Sequence, residues 1–282
     1  MSDAFAPYEP LIRLGAFFGV LAAMALWEVA APRRQLKLAR RTRWPSNLGV
    51  VIVDTLLVRL LFPTAAVGVA LLAEARGWGL FPALGVPWAV AVVASIVLLD
   101  LAIYAQHVLF HAVPVLWRLH RMHHTDLDVD VTTGVRFHPV EIIISLLIKW
   151  AVIVVLGIPA IAVLLFEVVL NATSMFNHSN VAMPVAVDRL VRLVVVTPDM
   201  HRVHHSIRRS ETNSNFGFNF PWWDRLFGTY RGQPADGHEG MTVGIDSFRD
   251  PRELRLDRML LQPLRSGGDA YPALARKSGQ GD

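Results

Sequence analysis

Four stretches of this sequence are apolar for long enough to dictate their own secondary structure. In hydrocarbon no water satisfies a backbone N–H or C=O, so a segment of about 20 apolar residues crosses a bilayer as a helix. Leu11–Ala31, Leu48–Ala73 and Trp88–Val113 each reach that length, the second with Pro63 as a tolerable kink. A fourth stretch begins near Val140, breaks at Gly157-Ile158-Pro159 and resumes to about Ser174. Its halves of about 17 residues read as a helical hairpin that is short, tilted or re-entrant. The expected fold class is therefore all-α: an integral membrane bundle of about four spans, the last a hairpin, with a cytoplasmic, helical, histidine-rich cap.

Composition agrees. Hydrophobic residues make up 53% and charged residues 18%, against about 25% charged in soluble domains. Mean hydropathy is +0.41. From about Pro184 the chain turns polar; Val185–Val196 suits a helix lying at the interface. Residues 206–250, rich in Asn, Gly and aromatics, are expected to form a compact cap. Residues 1–265 read as one domain and 266–282, rich in Gly, Ser, Lys and Asp, as a disordered tail.

Charge gives orientation. The loop after the first span carries Arg33, Arg34, Lys37, Arg40, Arg41 and Arg43 without one acid, whereas residues 74–87 hold a single Arg76 beside Glu74. The positive-inside rule places the first loop, and with it every histidine cluster, in the cytoplasm. Net charge is +4, but the basic residues flank apolar runs, which fits lipid headgroups rather than nucleic acid. The acidic start of the chain does not read as a cleavable signal. A short, unfused chain without organelle signals points to a bacterial inner membrane.

The sequence has no cysteine. Disulfides, thiolate zinc sites, iron–sulfur clusters and a cysteine nucleophile are all excluded, so a bound metal needs nitrogen or oxygen ligands. Eight of the eleven histidines fall in three clusters: His107-x3-His111, His120-x2-His123-His124 and His201-x2-His204-His205. Residues four apart share a helix face. In H-x-x-H-H the first and third histidines therefore point together and the middle one sits about 60° around the helix. Eight imidazoles exceed what one ion accepts, and two metals follow. His138 and His178, at the ends of the hairpin, could reach the same centre, with helix capping as the alternative role for His138. His238, in a Gly-rich loop, reads as a bystander.

Asp100, Tyr104, His107 and His111 form a polar stripe on an apolar helix. An ionisable group within a span is functional by default. Asp100 and Tyr104 are therefore candidate catalytic residues, Asp100 also serving as a buttress to Tyr104 or to a ligand. Asp54 and Arg59 in the second span read as a pair or as snorkelling side chains. Trp222, Trp223 and Phe227 read as cap packing.

Imidazole suits zinc, copper, iron and nickel alike. The acids beside the clusters, Asp126, Asp128, Asp130 and Asp199, do not form H-E-x-x-H, so a hydrolytic zinc site lacks its general base. At this point the motifs carry a resemblance. The order H-x3-H, H-x2-H-H, H-x2-H-H on such spans is similar to the fatty acid hydroxylase/sterol desaturase superfamily, over roughly residues 90–235. The local contexts are Leu119-His120-Arg121-Met122-His123-His124, Arg136-Phe137-His138-Pro139-Val140-Glu141, Thr197-Pro198-Asp199-Met200-His201 and Trp223-Asp224-Arg225-Leu226-Phe227-Gly228-Thr229-Tyr230.

The resemblance implies an integral membrane oxidoreductase with two non-haem irons (zinc on purification being an alternative occupant) and O2 as co-substrate. It makes the eight clustered histidines metal ligands, with His178 where the family places one between its second and third motifs. Some relatives have a paired histidine four residues earlier, where this chain has Ser174. Either His138 completes the shell, or one metal keeps an open or water-filled position. The implied partners are a lipid or sterol-like substrate, reached by an apolar tunnel between the hairpin and the third span, and a separate ferredoxin- or cytochrome-type electron donor. The implied reaction is hydroxylation or desaturation of a C–H bond. The alternatives are a redox-neutral or reductive lipid enzyme on the same scaffold and a non-catalytic metal-binding membrane protein.

Overall fold

The computed structural model describes residues 6–62 and 64–272. Pro63, expected as a kink, and residues 273–282 of the expected tail lie outside the described residues. Ten helices organise the chain: α1 (Glu9–Ala30), α2 (Arg40–Leu61), α3 (Ala66–Arg76), α4 (Leu80–Ala83), α5 (Trp88–Ala112), α6 (Pro114–His124), α7 (Pro139–Leu156), α8 (Ala160–His178), α9 (Val185–Val191) and α10 (Pro198–His204). Short helical turns follow to Leu264, and the only β pairings among the described residues are two isolated bridges. Five segments are long and apolar enough to cross a membrane: α1, the α2–α4 run, α5, α7 and α8. Leu26, Leu60, Val93 and Val155 are each more than 60% exposed, a fault in water and a requirement for helices facing lipid.

The second span differs from its expected form. α2 begins eight residues before the apolar run, because Arg43 and Asn47 are buried in the polar cap. The span then breaks after Phe62, whose ring packs edge-on at 5.2 Å against Trp150 in the middle of α7, and resumes as α3.

The end of the bundle remote from the histidines is fixed by two glycines. Gly79 (φ +104°) and Gly157 (φ +70°) lie so close that a Cβ on Gly79 would stand 2.0 Å from the Gly157 nitrogen. Both positive φ and contact demand glycine. Nearby, Glu74 accepts from the Ala160 N–H at 3.1 Å, so the start of α8 is capped by a carboxylate of another helix. The apolar core of α3, α5, α7 and α8 includes Leu99, Ile103, Ile153, Val163 and Phe166.

At the opposite end the polar segment 125–138 is almost wholly buried and held by charge. Arg43 donates to Asp126 at 2.7 Å and Asp130 at 2.6 Å, and Arg136 to Asn47 at 3.1 Å and the Met122 carbonyl at 2.9 Å. Burial pushes the Asp126 carboxyl up, but Arg43 and Arg136 more than compensate and hold it at about 2. Glu28 of α1 accepts from Val131 N–H at 2.7 Å and Asn180 N–H at 2.8 Å. The network ties α1, α2 and α8 to the loop behind α6. Removing one partner of such a pair costs about 3–5 kcal/mol. Arg33 also bonds Asp199, and Arg40 bonds Glu28, so part of the basic loop serves the cap rather than lipid. Of the residues expected in the tail, 266–272 pack on the domain: Tyr271 stacks on Trp117 with centroids 5.8 Å apart.

Candidate metal centre

Four helices deliver histidines to one buried volume. α5 brings His107 and His111, and Pro114 at the first position of α6 starts a new helix after Val113 that brings His120, His123 and His124. α8 ends on His178. α10, capped by the Thr197 hydroxyl, carries His201 and His204, and His205 follows it. Their ring nitrogens form two groups, each within 4.8 Å: His107, His111, His120, His124 and His204 in one, and His123, His178, His201 and His205 in the other. Nitrogens about 2.1 Å from one ion lie at most about 4.2 Å apart, so each group is near the size of a coordination shell. Helix geometry sorts the motifs as expected. In each H-x-x-H-H the outer pair joins one group and the middle histidine the other.

Hydrogen bonding decides whether these groups fit a metal. His107 Nδ1 meets the Phe216 carbonyl at 2.8 Å and His120 Nδ1 meets Glu141 Oε1 at 2.7 Å. A carbonyl or carboxylate can only accept, so both Nδ1 atoms carry the proton and both Nε2 atoms are bare lone pairs. Those two lone pairs face each other at 3.1 Å. The same holds in the second group. His178 Nδ1 donates to the Ser174 carbonyl at 2.7 Å and His123 Nδ1 to the Arg136 carbonyl at 3.2 Å, leaving their Nε2 atoms 3.0 Å apart. Converging lone pairs repel unless a cation lies among them. Nine buried imidazoles in two groups, four of them with Nε2 lone pairs so opposed, fit two metal ions.

Electrostatics keeps them neutral. Burial, and then the charge of neighbouring histidines, pushes His120, His123, His124, His201 and His205 well below the usual imidazole range. His204 is pushed down by burial and His107, although its bond to the Ser214 carbonyl opposes this. Neutral imidazole is the form that binds metal.

Three sequence-predicted residues stand elsewhere. His138 belongs to neither group. Its Nδ1 accepts from Val140 N–H at 3.2 Å and its Nε2 donates to the Leu260 carbonyl at 3.1 Å, so it caps α7 and has no nitrogen left for a metal. Asp100 neither buttresses Tyr104 nor touches a histidine. Its carboxylate accepts from Trp223 Nε1 at 2.8 Å and from the Asn219 and Phe220 N–H groups at 3.3 Å. The Tyr104 hydroxyl bonds Thr229 Oγ1 at 2.9 Å and its ring stacks on Phe227. Both residues hold the segment whose Phe216 carbonyl orients His107. Ser174, in the place of a paired histidine, donates to the Gly134 carbonyl at 2.6 Å. Asp126 and Asp130 pair with Arg43, and Asp199 pairs with Arg202.

Sequence reasoning missed the role of Glu141, visible only as part of a motif, and the carbonyls of Arg136, Ser214 and Phe216, for which no sequence signal exists. It also drew the tunnel too narrowly. A cavity of about 590 Å³ lies not only between the hairpin and α5 but also against α1 and α2, and its wall includes His107 and His120. Ile103, Phe110, Phe137 and Phe218 are among its apolar lining, yet Asp54, Gln106, Glu141, Lys149 and Glu167 line it too.

Residues 92–229, which hold all nine of these histidines, match the fatty acid hydroxylase family. This segment of the chain belongs to the fatty acid hydroxylase superfamily. The chain is 32% identical to the ornithine lipid hydroxylase OlsE of Rhizobium tropici over 52% of its own length and 44% of that protein's. It is 30% identical to rat cholesterol 25-hydroxylase over 57% of the chain and 53% of that protein. Human alkylglycerol monooxygenase is 25% identical over 53% of the chain and 32% of its own length. The matches thus span between about a third and a half of these relatives. No solved structure matches the chain.

Proposed function

We propose that this fatty acid hydroxylase-family chain hydroxylates a C–H bond of a membrane lipid at two non-haem irons, with O2 as oxidant and electrons from a separate ferredoxin- or cytochrome-type donor. The observation that carries the reading is the cavity: a largely apolar chamber walled by the spans has His107 and His120 in its wall. The relatives named above add the substrate class, since their names give an ornithine lipid, cholesterol and an alkylglycerol. What these share is lipid.

A pair of irons held by these imidazoles would supply the redox capacity that O2 chemistry needs. The remaining work belongs to the chain. Five histidines on one side and four on the other would hold the ions, and Glu141 and the backbone carbonyls fix which nitrogen of His107, His120, His123, His178 and His204 faces inward. Phe110, Phe137 and Phe218 exclude water and hold an alkyl chain beside the histidines, which sets the C–H bond that reacts.

The histidine ends of α5, α6, α7 and α8 share one face of the bundle. We place that face in the cytoplasm of a bacterial inner membrane. Lys37 and Arg41, basic residues of the first loop with no acidic partner among the described residues, support it.

The test is metal content and oxygen response. Protein purified in mild detergent from iron-replete cells should hold two irons per chain and show coupled iron by Mössbauer spectroscopy that oxidises on exposure to O2. Incubation with lipid, donor and ¹⁸O2 should then place label in an alcohol product. Tightly bound zinc with no O2 response would overturn the proposal.

A further inference from the structure

The cavity carries three polar groups that the protein does not use. Asp54 Oδ1 on α2, Gln106 Oε1 on α5 and Glu141 Oε2 on α7 have no hydrogen-bond partner, although the three residues are 9%, 9% and 4% exposed. All three line the chamber that His107 and His120 line. Glu141 gives only its other oxygen to His120. Asp54 does not pair with Arg59 as the sequence suggested, and among the described residues no Arg or Lys forms an ion pair with Asp54 or Glu141. Buried polar groups are nearly always satisfied, and an exception calls for a reason.

Glu167, another carboxylate on the same wall, shows how this fold treats a buried acid with no outside partner. It is bonded by both Lys149 and Arg13. The Asp54–Gln106–Glu141 trio lacks any such arrangement. We propose that it is a subsite for a protonated primary amine, and that the substrate is an amine-bearing lipid whose ammonium group docks beside the carbon that is oxidised. The inference rests on the lipid-hydroxylase reading of the site. An alkylammonium offers three N–H donors and a positive charge to three acceptors, two of them carboxylates, held on three helices. A lipid hydroxyl offers one donor and no charge, and an alkyl chain offers neither.

Wild-type, metal-loaded full-length protein in phosphatidylcholine nanodiscs can be titrated with dodecylammonium chloride, 1-dodecanol and dodecyltrimethylammonium chloride, with empty nanodiscs as reference. Dodecylammonium should bind at least about tenfold more tightly than either of the others, since hydrogen bonds to charged groups carry the difference. In Asp54→Asn the preference should fall below about threefold while the metal content stays that of the wild type. Equal binding of dodecanol and dodecylammonium overturns the subsite and leaves water as the partner of these groups. Equal binding of the trimethyl analogue overturns it as well, because charge without N–H donors would then suffice. If Asp54→Asn does not fold, the wild-type series decides alone. Iron content and O2-driven oxidation of the same preparation separate the two readings. Two O2-reactive irons without amine preference sink only the subsite, whereas amine preference without them sinks only the hydroxylase reading.

Discussion

Asp100 and Trp223, 123 residues apart in sequence, meet through a 2.8 Å hydrogen bond from the indole N–H to the carboxylate. That bond closes the loop 216–223 onto α5, and the carbonyl of Phe216 at the start of the loop fixes the ring of His107. A residue that composition marks as catalytic is thus the latch of a ligand-orienting loop.

Replacing Asp100 by Ala should leave the Trp223 indole and two backbone N–H groups without an acceptor. The expected loss of stability is at least about 3 kcal/mol, read as a lower melting temperature in detergent. Metal content should fall with it, because His107 loses its orienting carbonyl.

Glu141→Gln keeps the shape of the side chain but removes the charge that receives the His120 proton. Metal affinity should drop about 10–100-fold, measured by competition with a chelator of known affinity. An unchanged affinity would show that His120 is oriented by packing alone.

His138→Ala and His204→Ala should behave in opposite ways. The first removes a helix cap and costs about 1 kcal/mol, with metal content unchanged. The second removes one of five converging imidazoles and should abolish both metal retention and turnover. Quantifying metal per chain for the two variants decides.

Acid should destabilise the metal-free protein. The imidazoles of His120, His123, His124, His201, His204 and His205 are held below the unfolded value of 6.5. Below pH 6.5 the unfolded chain therefore binds protons that the folded chain refuses, and stability falls as pH falls. Each histidine contributes up to about 1.4 kcal/mol per pH unit in that window, and none above it. Denaturant midpoints of metal-free protein should be flat from pH 8 to 7 and drop steeply between pH 6.5 and 5.5.

Much of this molecule is legible from its sequence because the relevant physics is local. Apolar length placed α1, α5, α7 and α8 to within a few residues, though not the second span, and Gly157-Ile158-Pro159 marked the turn between α7 and α8, where a left-handed glycine ends one helix and proline precedes the next. The 3.6-residue repeat sorted His120 and His124 from His123, and His201 and His205 from His204, since side chains on one helix have no other way to point.

Tertiary structure alone decided what depends on partners distant in the chain. His138 and His178 look alike in sequence, each at an end of the hairpin; one finds the Leu260 carbonyl and the other finds His123. Asp100 and Glu141 exchange their expected importance for the same reason: one faces the loop and the other faces a ligand. Asp54, Gln106 and Glu141 come to one cavity only because α2, α5 and α7 pack around it. Spacing along a helix fixes direction within that helix, but what stands in that direction is set by the packing of the others.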